Sequence, residues 1–158
     1  IDKIKQMFWD HGIPVLEGDT ERITFGDTTS DISGIDDPDG GRSAFISQLD
    51  AVGSNPDEDI FHVLLTHRPE RIDAYREYGF DLVLSGHAHG GQWRIPGLLN
   101  GLLAPDQGFF PQYAGGLYPF EDQIMIVSRG LAKESTRVPR FFNHRELVIV
   151  DIVPEAAE

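Results

Sequence analysis

The apolar positions of the chain alternate between helical spacing and short continuous runs. In residues 1–12, Ile4, Met7, Phe8 and His11 share one face of a predicted helix, which Gly12-Ile13-Pro14 ends. Arg42–Val52 repeats the pattern, with Phe45, Leu49 and Val52 inward and Gly53 just past its end. A third helix is predicted over Pro69–Tyr78, opened by the proline, with Ile72 and Tyr75 inward and Gly79 as its stop. Ile60–Thr66 and Asp81–Ser85 are near-continuous apolar runs, as expected of strands buried on both faces. Strand, helix and strand in succession form a βαβ unit, which requires parallel strands and a right-handed crossover. Shorter extended segments are expected around Val15-Leu16, Arg22–Phe25 and Asp31–Asp36, and strand character returns at Gln123–Ser128 and Glu146–Val153. Residues 86–121 are rich in Gly and Pro and carry scattered aromatics, which predicts a long ordered loop. The fold class is α/β.

Length and charge narrow the picture. At 158 residues the chain suits one domain with a real core. Thirteen Lys and Arg stand against 26 Asp and Glu, a formal net charge of −13. That excess of carboxylate repels a phosphate backbone, so non-specific nucleic-acid binding is not expected, whereas cation binding is compatible. With no cysteine, disulfides, thiolate metal sites and thiol catalysis are excluded. Apolar runs such as Val63-Leu64-Leu65 and Val148-Ile149-Val150 fall far short of the roughly 20 residues of a spanning helix. The compartment is left open.

The candidate chemistry sits at the ends of the two strongest strands. Thr66-His67-Arg68-Pro69 follows the first, and Ser85-Gly86-His87-Ala88-His89-Gly90-Gly91 follows the second. Open α/β sheets collect ligands beyond the carboxyl ends of their strands. Neighbouring strands lie about 4.8 Å apart, so both turns can reach a common point. Neutral imidazole suits zinc, iron, manganese or nickel-class metals. Other residues carry two readings each. Arg68 either contacts a substrate phosphate or caps its own loop, while Gln92 and Arg94 follow the histidine turn and are candidates to line a pocket. Asp36, Asp37 and Asp39 with Gly40-Gly41 suggest calcium or, lacking EF-hand spacing, a solvated turn. The aromatics from Phe109 to Phe120 suit either a hydrophobic lip for a lipid-like substrate or a loop anchor; His62 reads as a core histidine and His11 as an ordinary helix residue.

The run from Ile60 to Gln92 resembles the second half of the calcineurin-like metallophosphoesterases, and more narrowly a bacterial branch with a GH-[TA]-HGGQ motif. The likeness extends to Ser33–Pro38 upstream, and downstream to Ala104–Tyr118, Val127–Leu131 and Arg140–Asn143. The resemblance implies that His67 and His87 are ligands of one divalent metal and His89 of a second, of the Mn, Fe, Zn or Ni class. It further implies a phosphoester substrate attacked by a hydroxide bridging the two metals, and a four-layer α/β/β/α sandwich. Ala88, where Thr is more usual, touches no ligand position.

The same resemblance calls for an Asp-x-His, a Gly-Asp-x-x-Asp and a Gly-Asn-His-Asp/Glu. Asp10-His11 lacks the intervening residue, Gly26–Ser30 has Ser in place of the second Asp, and Asn143-His144 follows Phe142 instead of Gly. The expectation is therefore a carboxyl-terminal half, in which Ile1–Gly12 is the helix after the Gly-Asn-His segment. Three imidazoles without a carboxylate bridge cannot hold two cations against their repulsion. Such a chain is expected to be inactive alone and to seek its amino-terminal half, or a second copy, through an exposed sheet edge. The alternative is a non-catalytic module that binds metal or a partner and self-associates.

Overall fold

A computed structural model describes residues 2–54, 57, 59–132 and 139–153. The chain opens with helix α1 (Asp2–Asp10) and a hairpin of strands β1 (Asp19–Phe25) and β2 (Thr28–Gly34), followed by helix α2 (Arg42–Gly53). Strand β3 (Phe61–Leu65), the short helix α3 (Ile72–Tyr75) and strand β4 (Leu82–Ser85) form the expected βαβ unit. The glycine-rich stretch contains the small pair β5 (Leu103–Ala104) and β6 (Gly108–Phe109), then β7 (Gly116–Pro119), and β8 (Ile124–Val127) follows. The result is mixed α/β: a six-stranded sheet of order β1-β2-β3-β4-β8-β7 beside a two-stranded one.

The four central strands β2, β3, β4 and β8 run parallel, and an antiparallel strand flanks each side. The register pairs Gly34 with Leu65, Leu65 with Leu84, and Ser85 with Val127. All four carboxyl ends therefore finish along one edge, and the loops leaving them carry Asp37, His67, His87 and Arg129. Gly34 is glycine for a packing reason: a Cβ there would lie 2.5 Å from Cβ of Leu16, where the preceding segment crosses the strand end.

One face of the sheet is closed. Leu64, Val83, Met125 and Val127 pack beneath Phe45, Leu49 and Val52 of α2, Ile72 and Tyr75 of α3, and Phe80, all of them buried. The other face is only partly covered, because Leu65 and Ile124 are about two-fifths exposed at 39% and 42%. In β3 and β4 the expectation of burial on both faces holds at Val63 and Leu82, each 4% exposed, and fails only at Leu65. Residues 146–153 do not form the expected strand either. They run past Leu84 and Ile126, joined by a bond from Glu146 N–H to Gly130 O at 3.1 Å but forming no ladder, and Leu147 and Ile149 face solvent. A run of strand-forming residues needs a neighbouring strand to pair with, and none among the described residues reaches it.

Two helical expectations are trimmed by tertiary context, while Arg42–Val52 forms in full as α2. Helix α1 forms, but Ile4 and Met7 of its apolar face remain exposed, and Ile1 lies outside the described residues. Pro69–Tyr78 becomes a 3₁₀ turn over Pro69–Arg71 and one α-turn, not a continuous helix. No helix among the described residues is long and apolar enough to cross a membrane.

His62 is a core histidine, as its strand position predicts. Its Nε2 lies 2.7 Å from Oγ of Ser33, which in turn lies 2.7 Å from Oγ1 of Thr20, and its ring meets Phe80 edge-on at 4.7 Å. Burial holds its pKa below the ordinary imidazole value of 6.5 against the opposing pull of Asp31 and Asp81. The folded chain thus resists a proton that the unfolded chain accepts. His62 contributes stability that is full above pH 6.5 and declines as pH falls below it. In His62→Gln, an amide keeps a partner for Ser33 but cannot titrate. The loss of melting temperature on acidification from neutral to about pH 5 is expected to be smaller than in the parent chain; an equal loss in both would show that His62 does not carry the effect.

Candidate functional site

The ladder hydrogen bonds continue past the strand ends and seat the loops. Thr66 N–H donates to Leu84 O at 3.0 Å and Ser128 N–H to Ser85 O at 2.9 Å. Beneath the first histidine turn, the fully buried Tyr75 hydroxyl donates to Arg68 O at 2.9 Å and receives the Thr66 hydroxyl at 2.9 Å. The one-turn helix α3 is thereby coupled directly to the placement of His67.

The second histidine turn folds sharply. His87, His89 and Gln92 all have positive φ, at 64°, 49° and 56°, around Gly90 and Gly91 at 67° and 64°. Left-handed backbone at non-glycine residues is uncommon and concentrates at functional loops. The two glycines are required by crowding as well as by φ: a Cβ on Gly90 would lie 2.3 Å from Asn143 Oδ1, and one on Gly91 2.4 Å from Gly101 Cα. Asn143 braces the turn from outside, donating to His89 O at 2.7 Å and Gln92 O at 3.1 Å. Its Nδ2 is thus occupied with backbone, while its Oδ1 is buried without a hydrogen-bond partner.

His67 and His87 meet at the sheet edge, their ring centroids 4.6 Å apart and tilted by 68°. His87 Nε2 lies 2.6 Å from Asp106 Oδ2, and its Nδ1 lies 2.9 Å from His67 Nε2. A carboxylate only accepts, so neutral His87 carries its proton on Nε2 and its Nδ1 accepts from His67. Arg68 Nη1 also approaches His87 Nε2, at 3.3 Å, but two donors cannot bond, and the shorter contact to Asp106 decides the tautomer. Burial and then the neighbouring His87 lower the pKa of His67, which favours the neutral ring. Burial lowers that of His89 too, helped by Arg140, His87 and His67.

Arg68 organises the acidic side of the site. It is buried and binds Asp37 through Nε at 2.8 Å and Nη2 at 3.0 Å, with Asp39, Asp106 and Glu70 around the same guanidinium. Its charge holds the Asp37 carboxyl below the usual range; Asp106 is held low by His87 first and Arg68 second. An arginine engaged by four carboxylates offers no free edge to a substrate, so the structure favours the loop-organising reading of Arg68. The aspartate turn is likewise not simply solvated, since Asp37 and Asp39 both serve Arg68. Gln92 is buried with an unpartnered Oε1, and Arg94 lines an apolar cleft. His11, expected within the first helix, lies in the turn just past α1, exposed and with Nδ1 2.7 Å from Met7 O.

The donor chemistry of the edge, imidazole and carboxylate, suits a divalent metal. The geometry suits it only in part. Among the described residues no group of three His, Asp or Glu side chains is placed to hold an ion. The lone pair of His87 Nδ1 is spent on His67, and His67 Nε2 stands 4.0 Å from Asp37. Asp106 is the residue that sequence reasoning missed. Its signal was faint: a lone Asp after Ala104-Pro105, with a positive φ of 57° that no spacing reveals.

Two facing imidazoles and ordered carboxylates at the carboxyl edge of a parallel sheet stand where open α/β folds bind their ligands. The chain is similar to several curated proteins that are named metallophosphoesterases. It is 31% identical over 121 residues to the uncharacterized metallophosphoesterase YkuE of Bacillus subtilis, covering 70% of this chain and 41% of that protein. It is 35% identical over 69 residues to the phosphodiesterase YaeI of Escherichia coli, covering 44% and 24%. Over 96 residues it is 32% identical to the UDP-2,3-diacylglucosamine pyrophosphatase LpxG of Chlamydia muridarum, covering 56% and 28%. The chain spans less than half the length of each of these relatives. No family model matches it, and no solved structure matches it.

Replacing Arg68 by Gln leaves Asp37, Asp39, Glu70 and Asp106 facing one another without a cation. The expected loss is about 2–3 kcal/mol by chemical denaturation, below the roughly 3–5 kcal/mol of a fully buried pair because several of these carboxylates reach water. A loss under about 0.5 kcal/mol would show that the guanidinium does not hold the loops.

Proposed function

We propose that this chain is the carboxyl-terminal part of a metal-dependent phosphoesterase, with His67, His87 and His89 as its imidazole ligands. The observation that carries the reading is the meeting of His67 and His87 at the carboxyl edge of the parallel sheet, oriented by Asp106. The relatives' names support a phosphoester or pyrophosphate substrate. Two divalent ions of the Mn, Fe, Zn or Ni class, when bound, supply the Lewis acid and the activated water of such hydrolysis. Within this chain, Asp106 fixes the tautomer and direction of His87, Arg68 ties the Asp37 and Asp106 loops around the imidazoles, and Asn143 holds the turn that presents His89. Arg94 and Gln92 remain the candidate substrate contacts, with Arg68 behind them as a positioning residue. The missing carboxylates and the strands of a four-layer sandwich come from a segment matching the other part of the relatives. The half-open second face of the sheet, with Leu65 and Ile124, receives it.

A second reading rests on the exposed apolar side chains of α1 and of residues 146–153: a non-catalytic module that buries them against a second copy. Hydrolysis of bis(p-nitrophenyl) phosphate with added Mn²⁺ separates the two. The chain alone is expected to turn over little, and a chain joined to the amino-terminal half of a relative to turn over His87-dependently. In that active form, Asp106→Asn is expected to cost about 10–100-fold in metal affinity or activity. Full turnover by the isolated chain, or turnover indifferent to His87→Ala, would overturn the first reading; a stable, metal-insensitive dimer would favour the second.

A further inference from the structure

The glycine-rich stretch divides its aromatics into two groups. Tyr113, Tyr118 and Phe120 anchor the loop: they pack on one another and on the core, with Arg76 over the Phe120 ring at 5.1 Å. Phe109 and Phe110, 71% and 69% exposed, face solvent instead. Trp93, Phe141 and Phe142 are exposed beside them, and contacts make the group continuous. The Trp93 and Phe141 rings meet edge-on at 5.3 Å, Trp93 and Phe109 line one cleft, and Trp93, Phe141 and Phe142 line the next. Five exposed rings on the loops after β4 and β8 form an apolar patch of the kind that marks an interaction surface.

The charge around this patch is opposite in sign to that of the chain as a whole. Against a formal net charge of −13, residues 82–120 and 139–145 contain a single acidic residue, Asp106, and its carboxylate is spent on His87 and Arg68. The cations of the same segments are Arg94, which lines the apolar cleft, and Arg140 and Arg145, which flank Phe141 and Phe142 in the chain. Arg145 is exposed, and Arg129 stands near Arg140, paired with Glu146.

The backbone of the patch is closed to a strand partner. Leu99 N–H donates to Ile95 O at 2.8 Å, Phe110 N–H to Leu102 O at 2.8 Å and Phe141 N–H to Gln92 O at 3.1 Å. A second copy suits it no better, because an isologous interface would set the arginines against themselves. The indole of Trp93 already has its polar tip bonded to Pro139 O at 3.0 Å, which leaves an apolar ring to bury. Aromatic rings on bent loops, with a basic rim in an acidic molecule, match the boundary between anionic headgroups and acyl chains of a bilayer.

We propose that this chain docks peripherally on a membrane surface bearing anionic lipid, through Trp93, Phe109, Phe110, Phe141 and Phe142, with Arg94 and Arg145 at the headgroups. The contact needs no metal, no turnover and no lipid drawn into the imidazole edge, so it goes beyond the phosphoesterase reading and does not rest on it. His89 lies four residues before Trp93 on the same glycine turn, so docking holds the imidazole edge near the lipid surface.

The test is partition onto extruded vesicles in EDTA, read by co-sedimentation and by Trp93 emission in a Trp9→Phe background. One set of vesicles is phosphatidylcholine, the other an equal mixture of phosphatidylcholine and phosphatidylglycerol. Binding to the mixed vesicles is expected to be about tenfold tighter or more, to weaken with salt, and to shift Trp93 emission to the blue. Joint Phe109→Ser and Phe110→Ser substitution is expected to weaken binding to both sets by about tenfold or more, at unchanged melting temperature because both positions are exposed. Arg145→Glu is expected to weaken binding to the mixed vesicles alone. Phe25→Ser is the control: that ring is 82% exposed at the β1–β2 turn, at the opposite end of the sheet, and its removal is expected to change nothing. Equal partition onto both vesicle sets, or equal weakening by Phe25→Ser, would overturn the proposal. So would binding that survives the joint substitution and falls in Phe8→Ser, which would move the contact to α1, or a vesicle-free dimer that the joint substitution dissociates.

Discussion

One guanidinium ties the working edge of this protein together. Arg68 gathers carboxylates from the loop after β2, from its own turn and from the β5–β6 connection, and so ties those three segments to one another. Arginine suits the task because its planar fork donates in several directions at once and keeps its charge when buried. Asp37 and Asp106 gain a fixed place, and through Asp106 so does the His87 ring. The imidazole pair is therefore a consequence of charge neutralisation one shell out, as well as of strand register.

Register supplies the rest. The parallel pairing of β2, β3, β4 and β8 brings four loops to one edge, and the buried Tyr75 hydroxyl locks the His67 turn from below. The sheet is fully closed on that helical side only. On the other side Val63 and Leu82 are buried but Leu65 and Ile124 are partly open, and the run 146–153 and the apolar face of α1 also present hydrocarbon to water. A fold with one finished and one open face fits the chain's coverage of less than half of the three relatives compared.

The basic patch and the acidic cluster show two opposite solutions at neighbouring strand ends. Around Arg68 the guanidinium is filled by the carboxylates of Asp37, Asp39 and Asp106, with Glu70 nearby but not hydrogen-bonded. Around Arg140 the cations face one another across Arg129, with donors unfilled. The difference lies in which segments the fold brings near, since both arginines sit in polar, loop-forming sequence.

Local pattern was enough to place β3, β4, β8 and α2 and to set His67 and His87 at the ends of adjacent parallel strands, because periodic burial and ladder bonding act between near neighbours in the chain. The same logic identified His62 as a core residue. It failed where the outcome depends on distant partners. Glu146–Val153 has strand composition but pairs with no strand among the described residues, and Pro69–Tyr78 shortens to a 3₁₀ turn and one α-turn. The bond from Asp106 to His87, the carboxylate ring around Arg68 and the unfilled donors of Arg140 join residues tens of positions apart or set like charges together. No spacing rule encodes them; sequence alone determined which groups could do chemistry, and only the packed chain decided which of them are already spent on one another, because charge pairing acts through space and not along the backbone.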